Sequence, residues 1–320
     1  SRMKSFLYGS IAVVCGLTAA LAVSSCSSGA TRQNDNLSEC LDSLVAGSKG
    51  TVGIAVITSD GDTVTAGDSD IYPLMSVFKL HEALAVARVL DRSNISLDTV
   101  ITIRQADLSP DTWSPMIKDY PEGDLTLSVG RLIEYMLIHS DNNASNILFD
   151  RIVSVAETDS IVSRWNIPGS FSLAYTERQM QADHDLSYRN TSSPLACAAL
   201  INRVFTDSLV SADKQSAIRE LLGRCSSAPG RIAAAVAEIP GAKLYHRTGS
   251  GYTNERGEIC AVNDVAYIEL TDGRSIALAV LTKDFPGRQE DADARIAEIC
   301  RSILSRMQHS GGADGYKKDR

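Results

Sequence analysis

The chain has 320 residues, 44% hydrophobic, 22% charged and 6% aromatic, with a net charge of −8. That length suffices for one large domain or two intimately packed ones. An acidic balance without a basic stripe argues against nucleic acid as a partner.

Met3-Lys4 is followed by a mostly apolar run from Phe6 to Val23 and then by Ser24-Ser25-Cys26. A basic start, an apolar core and small residues before a cleavage point predict a secretory signal over residues 1–25. A transmembrane anchor is the alternative, but Gly9, Ser10, Cys15 and Gly16 interrupt the run. The cysteine after the small residues resembles the lipobox of bacterial lipoproteins. Cys26 is therefore the lipid candidate, on an exported, periplasmic protein whose only membrane link is that lipid. Residues 27–36 are polar and expected as a flexible tether. Of seven cysteines, Cys40, Cys197, Cys225, Cys260 and Cys300 remain after Cys15 and Cys26. None has metal-ligand or Cys-x-x-Cys spacing, and their default is that of small buried apolar residues.

Leu37 to Ala46 has helical spacing. Thr51 to Thr58 and Thr63 to Ala66, joined through Asp60-Gly61, predict a β-hairpin. From Pro73 a long Ala/Leu/Val/Glu/Arg run predicts a helix with the proline just before or in its first turn. Further helices are expected over Val129 to His139, Asn143 to Val155, Pro194 to Phe205 and Lys214 to Leu222, with a long polar loop over 174–194. After Pro229-Gly230 the pattern turns to strands, at Ala242 to Gly249, Glu258 to Leu270 and Ser275 to Thr282. A terminal helix follows over Asp291 to Met307, and residues 309–320 are expected as a disordered tail. Strands at both ends around a helical middle predict one antiparallel sheet with an inserted helical lobe and a cleft between them. The expected division is 37–70 plus 225–308 for the α/β part and 71–224 for the helical part.

Within this frame, Ser76-Val77-Phe78-Lys79 places a hydroxyl and an amine three residues apart, on one helix face. A serine becomes a nucleophile when a neighbour takes its proton, and an amine in a crowded site can do so. Alone the pattern is weak: Ser1-Arg2-Met3-Lys4 has it too. Ser140-Asp141-Asn142 at a helix junction would by itself be a cap and turn, and Glu177 in the polar loop a solvated acid. Arg247-Thr248-Gly249-Ser250 closes a late strand, where glycine marks a turn or a close approach. Order and spacing join them: Ser-x-x-Lys, then Ser-Asp-Asn about 60 residues on, then a loop acid, then basic-Thr-Gly on a late strand.

This set resembles the class A serine β-lactamases over essentially the whole mature chain. Thr176 to Asp183 looks like the Ω-loop of the subgroup containing the PER and CfxA enzymes. The resemblance implies an α/β plus all-α fold: an antiparallel five-stranded sheet flanked by helices, with an inserted helical domain. It also implies hydrolysis of the β-lactam ring of antibiotics, cephalosporins among them, by a monomer without a cofactor. By position, Ser76 would attack the carbonyl, Lys79 relay its proton and Ser140 protonate the leaving nitrogen. Asn142 would hold the acylamide. Backbone N–H groups of Ser76 and Ser250 would form the oxyanion hole. Arg247, with Thr248, Gly249 and Ser250, would meet the substrate carboxylate. Glu177 would activate the deacylating water, with Asp183 and Asp185 as fallback acids, and Trp113 would form the rim.

Two positions depart from the pattern. Arg247 stands where lysine is usual, a planar fork in place of a point charge. Gln181 stands four residues after Glu177, where asparagine is usual, implying a shifted water geometry. Three rivals share parts of the pattern. A penicillin-binding peptidase would be acylated and stay blocked. A β-lactam sensor would need a second apolar span, which the sequence lacks. A binding-only lipoprotein would form no adduct.

Overall fold

The computed structural model describes residues 24–310. Residues 1–23, with most of the expected signal, and 311–320, with most of the expected tail, lie outside them. Helix α1 (Ser24–Ala46) includes the stretch expected as a tether. Once Leu37 and Leu41 are anchored in the core, propagating a helix through polar residues costs little, and no proline stops it. The compact body begins at Leu37.

The hairpin forms as expected, from β1 (Thr51–Thr58) and β2 (Thr63–Ala66). The next stretch differs. Tyr72–Pro73 is a short strand, β3, and Met75–Val77 is a 3-10 turn ahead of α2 (Phe78–Arg92). Ser76 thus lies in the 3-10 turn and only Lys79 in the α-helix. The Leu74 N–H donates to Asn190 O at 2.8 Å and Met75 takes φ 49°, so a tertiary tie and a strained residue override the helical pattern.

The inserted part continues with β4 (Val100–Ile103), α3 (Pro115–Asp119), β5 (Leu125–Ser128), α4 (Val129–His139) and α5 (Asn142–Arg151). The single helix expected to Val155 ends at Arg151. A new one, α6 (Val155–Ser163), starts where the Ser154 hydroxyl caps the Glu157 N–H. Then come β6 (Phe171–Ser172), α7 (Glu177–Ala182), a 3-10 segment (His184–Arg189) and β7 (Thr191–Ser192). The expected polar loop is thus internally structured. Helices α8 (Pro194–Thr206), α9 (Ala212–Gly223) and α10 (Ile232–Val236) lead into β8 (Lys243–Ser250), β9 (Ile259–Glu269), β10 (Ser275–Phe285) and α11 (Gln289–Ser310).

The main sheet is antiparallel and five-stranded, in the order β2-β1-β10-β9-β8. Side chains alternate between its faces. Ala55, Ile57, Tyr267, Ala279 and Leu281 join one core with α2, α4, α8 and α9. Ile54, Val56, Ile268, Leu278 and Val280 join a second with α1, α10 and α11. Helices on both faces explain why β1 and β9 read as nearly unbroken apolar runs. The edge strand β8 borders the inserted helices, and the 3-10 turn bearing Ser76 packs against it.

Candidate active site

Each element delivers its side chain for a local reason. Gly249 lets β8 approach the Ser76 turn, because a Cβ there would lie 2.4 Å from Leu74 O. Ser140 ends α4 in the left-handed region, φ 58° and ψ 39°, which turns its hydroxyl back toward Lys79. Asp141 is fully buried and caps α5 through the Ala144 N–H, while also accepting from Ser114 Oγ and Met116 N. It anchors the junction and leaves Asn142 free to face the cleft. Thr176 and Gln179 form a capping box that starts α7 at Glu177. Asn190 closes the neck of that loop by accepting from the Ala174 and Tyr175 N–H groups and donating to Tyr175 O.

Ser76, Ser140, Asn142, Glu177, Trp113, Thr248, Gly249 and Ser250 line one cleft of about 740 Å³. Lys79 lies beneath its floor, fully buried. Its Nζ donates to Ser76 Oγ at 3.0 Å, Ser140 O at 2.9 Å, Ser140 Oγ at 3.1 Å and Asn142 Oδ1 at 2.7 Å. Glu177 Oε1 is 3.4 Å away and also accepts from Ser76 Oγ at 3.3 Å. An ammonium has three protons for these five oxygens, so its protons are shared among them. Burial lowers the Lys79 pKa. Glu177 opposes that shift and the Arg247 charge adds to it, so the net is downward, toward the neutral amine that can take a proton.

Glu177 is almost wholly enclosed, not the solvated acid that a loop position suggests. Asp183 and Asp185 are exposed, and Asp183 caps the following 3-10 segment. Of the three acids, Glu177 alone reaches Ser76. Gln181 reaches the rim, where its Nε2 donates to Asp111 O at 2.9 Å. Trp113 stands at the mouth with its indole N–H on His139 O.

A chain of 320 residues with these groups in one cleft matches a known family along most of its length: the model described as "Beta-lactamase enzyme family" covers residues 36–307. The chain belongs to the class A β-lactamases. It is 42% identical to a β-lactamase of Phocaeicola vulgatus, over 97% of this chain and 98% of that one. It is 28% identical to the extended-spectrum β-lactamase PER-1 of Pseudomonas aeruginosa, over 88% and 91%. A class A β-lactamase structure from Bacteroides cellulosilyticus superposes with a TM-score of 0.81 at 27% identity, covering 87% of this chain and 99% of that one. The protein is therefore a hydrolase that opens the β-lactam ring of antibiotics and confers resistance to them.

One sequence expectation for this β-lactamase is corrected. Arg247 does not line the cleft. It is fully buried, and its guanidinium donates to Leu137 O, to Ser227 Oγ at 3.0 Å and to Thr248 O at 3.4 Å. A rigid fork is satisfied by carbonyls behind the strand, where a lysine ammonium would have one point of contact. Its charge reaches the cleft through Ser227, whose hydroxyl is 2.6 Å from Thr248 Oγ1. The sequence also gave no sign of Arg231. That side chain is fully buried, pairs with Asp293 at 2.7 Å and donates to Ser250 Oγ at 2.6 Å. A lone arginine after a Pro-Gly turn carries no pattern, so only the fold identifies it.

Proposed function

We propose that this β-lactamase works through an acyl-enzyme on Ser76 that is cleared by water activated at Glu177. The observation that carries this reading is the position of Ser76 Oγ, 3.0 Å from a lysine amine and 3.3 Å from a buried carboxylate. Lys79 takes the hydroxyl proton as Oγ attacks the lactam carbonyl, directly or through Glu177. The C–N bond breaks, and Ser140, bonded to Lys79, returns a proton to the departing nitrogen. The Ser250 N–H faces away from β9, because its neighbour Gly251 donates to Ala261 O and alternate groups point to opposite sides. With the Ser76 N–H, at the first turn of its 3-10 segment, it receives the developing oxyanion. Asn142 holds the acylamide. The Thr248 and Ser250 hydroxyls hold the substrate carboxylate, polarised from behind by Arg247 and Arg231.

Cephalosporins are the substrates this reading expects first, since Ser250 adds a hydroxyl beside the oxyanion site. The reading includes export to the periplasm, lipid attachment at Cys26 and action as a monomer.

Intact-protein mass spectrometry with a cephalosporin tests the mechanism. The wild type should show a fleeting adduct and many turnovers, and Glu177→Gln should accumulate the adduct on Ser76. A wild type that stays acylated would make the protein a penicillin-binding peptidase in behaviour. A Glu177→Gln variant that turns over normally would remove Glu177 from deacylation.

A further inference from the structure

Outside the reacting groups, a second cluster of chemistry stands behind the strand wall. Cys225, just after α9, is partly exposed and stands beside the His246 imidazole, near enough for the two to interact electrostatically. His246 Nδ1 lies 2.9 Å from Asp264 Oδ1, and both residues are buried. Asp264 Oδ2 accepts the Ile232 N–H at 3.1 Å, which fixes the carboxylate. A carboxylate that holds one ring nitrogen fixes the imidazole beside the thiol, a pairing that sets a cysteine up as a nucleophile. β-Lactam hydrolysis uses none of the three.

The charges around the thiol agree with that arrangement. Burial would raise the Cys225 pKa, but Arg247 and His246 overcome it and bring it down to about 6. Burial would lower the His246 pKa, but Asp264 and Cys225 hold it up to about 10. Two other cysteines behave in the opposite way: burial pushes Cys197 up to about 12 and Cys260 up to about 11.

Cys225 is also tied to the cleft. Its Sγ is 3.3 Å from Ser227 Oγ, the hydroxyl that joins Arg247 to Thr248. Ser226, Ser227 and Thr248 all line the cleft wall.

We propose that Cys225 is a thiol-modification site, positioned by His246 and Asp264 to exchange with low-molecular-weight disulfides, and that the adduct slows β-lactam hydrolysis by displacing Ser227. The Cys225 thiolate attacks one sulfur of R–S–S–R. A Cys225–S–S–R bond forms, the R–S–S–R bond breaks, and the departing RS⁻ takes the proton that His246 received from the thiol. A bulky group on Sγ then moves Ser227 away from Thr248 and Arg247, disturbing the carboxylate wall. A thiol reductant reverses it.

The test incubates the full chain with oxidised glutathione at neutral pH, maps the adducts by peptide mass spectrometry and follows cephalosporin hydrolysis in parallel. Cys225 should be modified at least about tenfold faster than Cys40, which is also partly exposed. Hydrolysis should fall in step and recover with dithiothreitol. Cys225→Ser should stay active and become insensitive. In His246→Gln, checked for retained fold by circular dichroism, modification of Cys225 should slow by about tenfold. Iodoacetamide rates on the wild type, which need no variant, should reach half their plateau near the depressed thiol pKa. The charged and titratable neighbours that shape this profile are His246 and Arg247 from β8 and Asp264 from β9. Adducts on Cys40 with Cys225 untouched would overturn the proposal. So would modification of Cys225 that leaves hydrolysis unchanged, or equal rates in His246→Gln. The adduct map does not depend on the Ser76 mechanism, so failure of the two readings is separable.

Discussion

Lys79 under the helical wall of the cleft and Arg247 behind the strand wall are both fully enclosed, yet their surroundings differ in kind. Lys79 faces the hydroxyls of Ser76 and Ser140 and the carboxylate of Glu177, groups that can gain or lose a proton. Arg247 faces two carbonyls and one hydroxyl that hold it still. An ammonium desolvated in this way can become an amine, whereas a guanidinium keeps its charge. In the proposed mechanism the two walls use buried positive charge differently: the helical wall moves protons, and the strand wall supplies a fixed field.

The strongest way to break this comparison is to remove the proposed nucleophile. Ser76→Ala should lower kcat/KM by ~10⁴-fold or more with the far-ultraviolet circular dichroism unchanged. Steady-state hydrolysis at the wild-type rate would show that the nucleophile lies elsewhere. On the strand wall, Arg231→Ala leaves Asp293 without its ion-pair partner and Ser250 without its donor. It should cost about 3 kcal/mol in denaturant unfolding, and a midpoint within error of wild type would mean that water replaces the guanidinium.

Where the walls meet, Gly249→Ala forces a Cβ against Leu74 O and should cost roughly 1–3 kcal/mol and slow acylation. Unchanged stability and acylation would show that the Ser76 turn yields more than its packing implies. The smallest effect concerns pH. The raised His246 alone would give stability that is present below 6.5 and lost as pH rises through about 10. The lowered Cys225 alone would give stability that is present above 9.0 and lost as pH falls through about 6. Between 6.5 and 9.0 the folded pair holds its one proton on His246 and the unfolded pair holds one on the thiol, so the two slopes cancel. Cys225→Ser should uncover the histidine slope, with stability declining as pH rises above 6.5. A flat profile in the variant would show that, without the thiolate, burial of His246 offsets what Asp264 contributes.

Much of the site was legible because its chemistry is carried by short patterns. Ser-x-x-Lys, Ser-Asp-Asn and Arg-Thr-Gly-Ser each reached the cleft or its floor, and β1, α4 and α8 began where the residue patterns predicted. What the sequence hid depended on distant partners. The 3-10 turn at Ser76 needs Asn190 to hold Leu74, and the aim of Ser140 needs a left-handed backbone that its residue type does not announce. Glu177 reads as a solvated acid until the capping box and the Asn190 clamp close the loop over it. Arg247 reads as a cleft cation until Leu137 and Ser227 are seen to hold it behind the wall. Arg231 and the Cys225–His246–Asp264 cluster unite residues from separate elements with no local signature.

The measurement that tests the central claim most directly is a pair of swaps, Lys79→Arg and Arg247→Lys, read as acylation rates by stopped-flow and intact mass. Thermal unfolding verifies that both variants are folded. If Lys79 works by giving and taking a proton, Lys79→Arg should acylate ~10³-fold or more slowly. If Arg247 works as a fixed charge, Arg247→Lys should remain within about tenfold of wild type. Rapid acylation of Lys79→Arg would contradict the account, because a guanidinium in that place stays protonated and cannot take the serine proton.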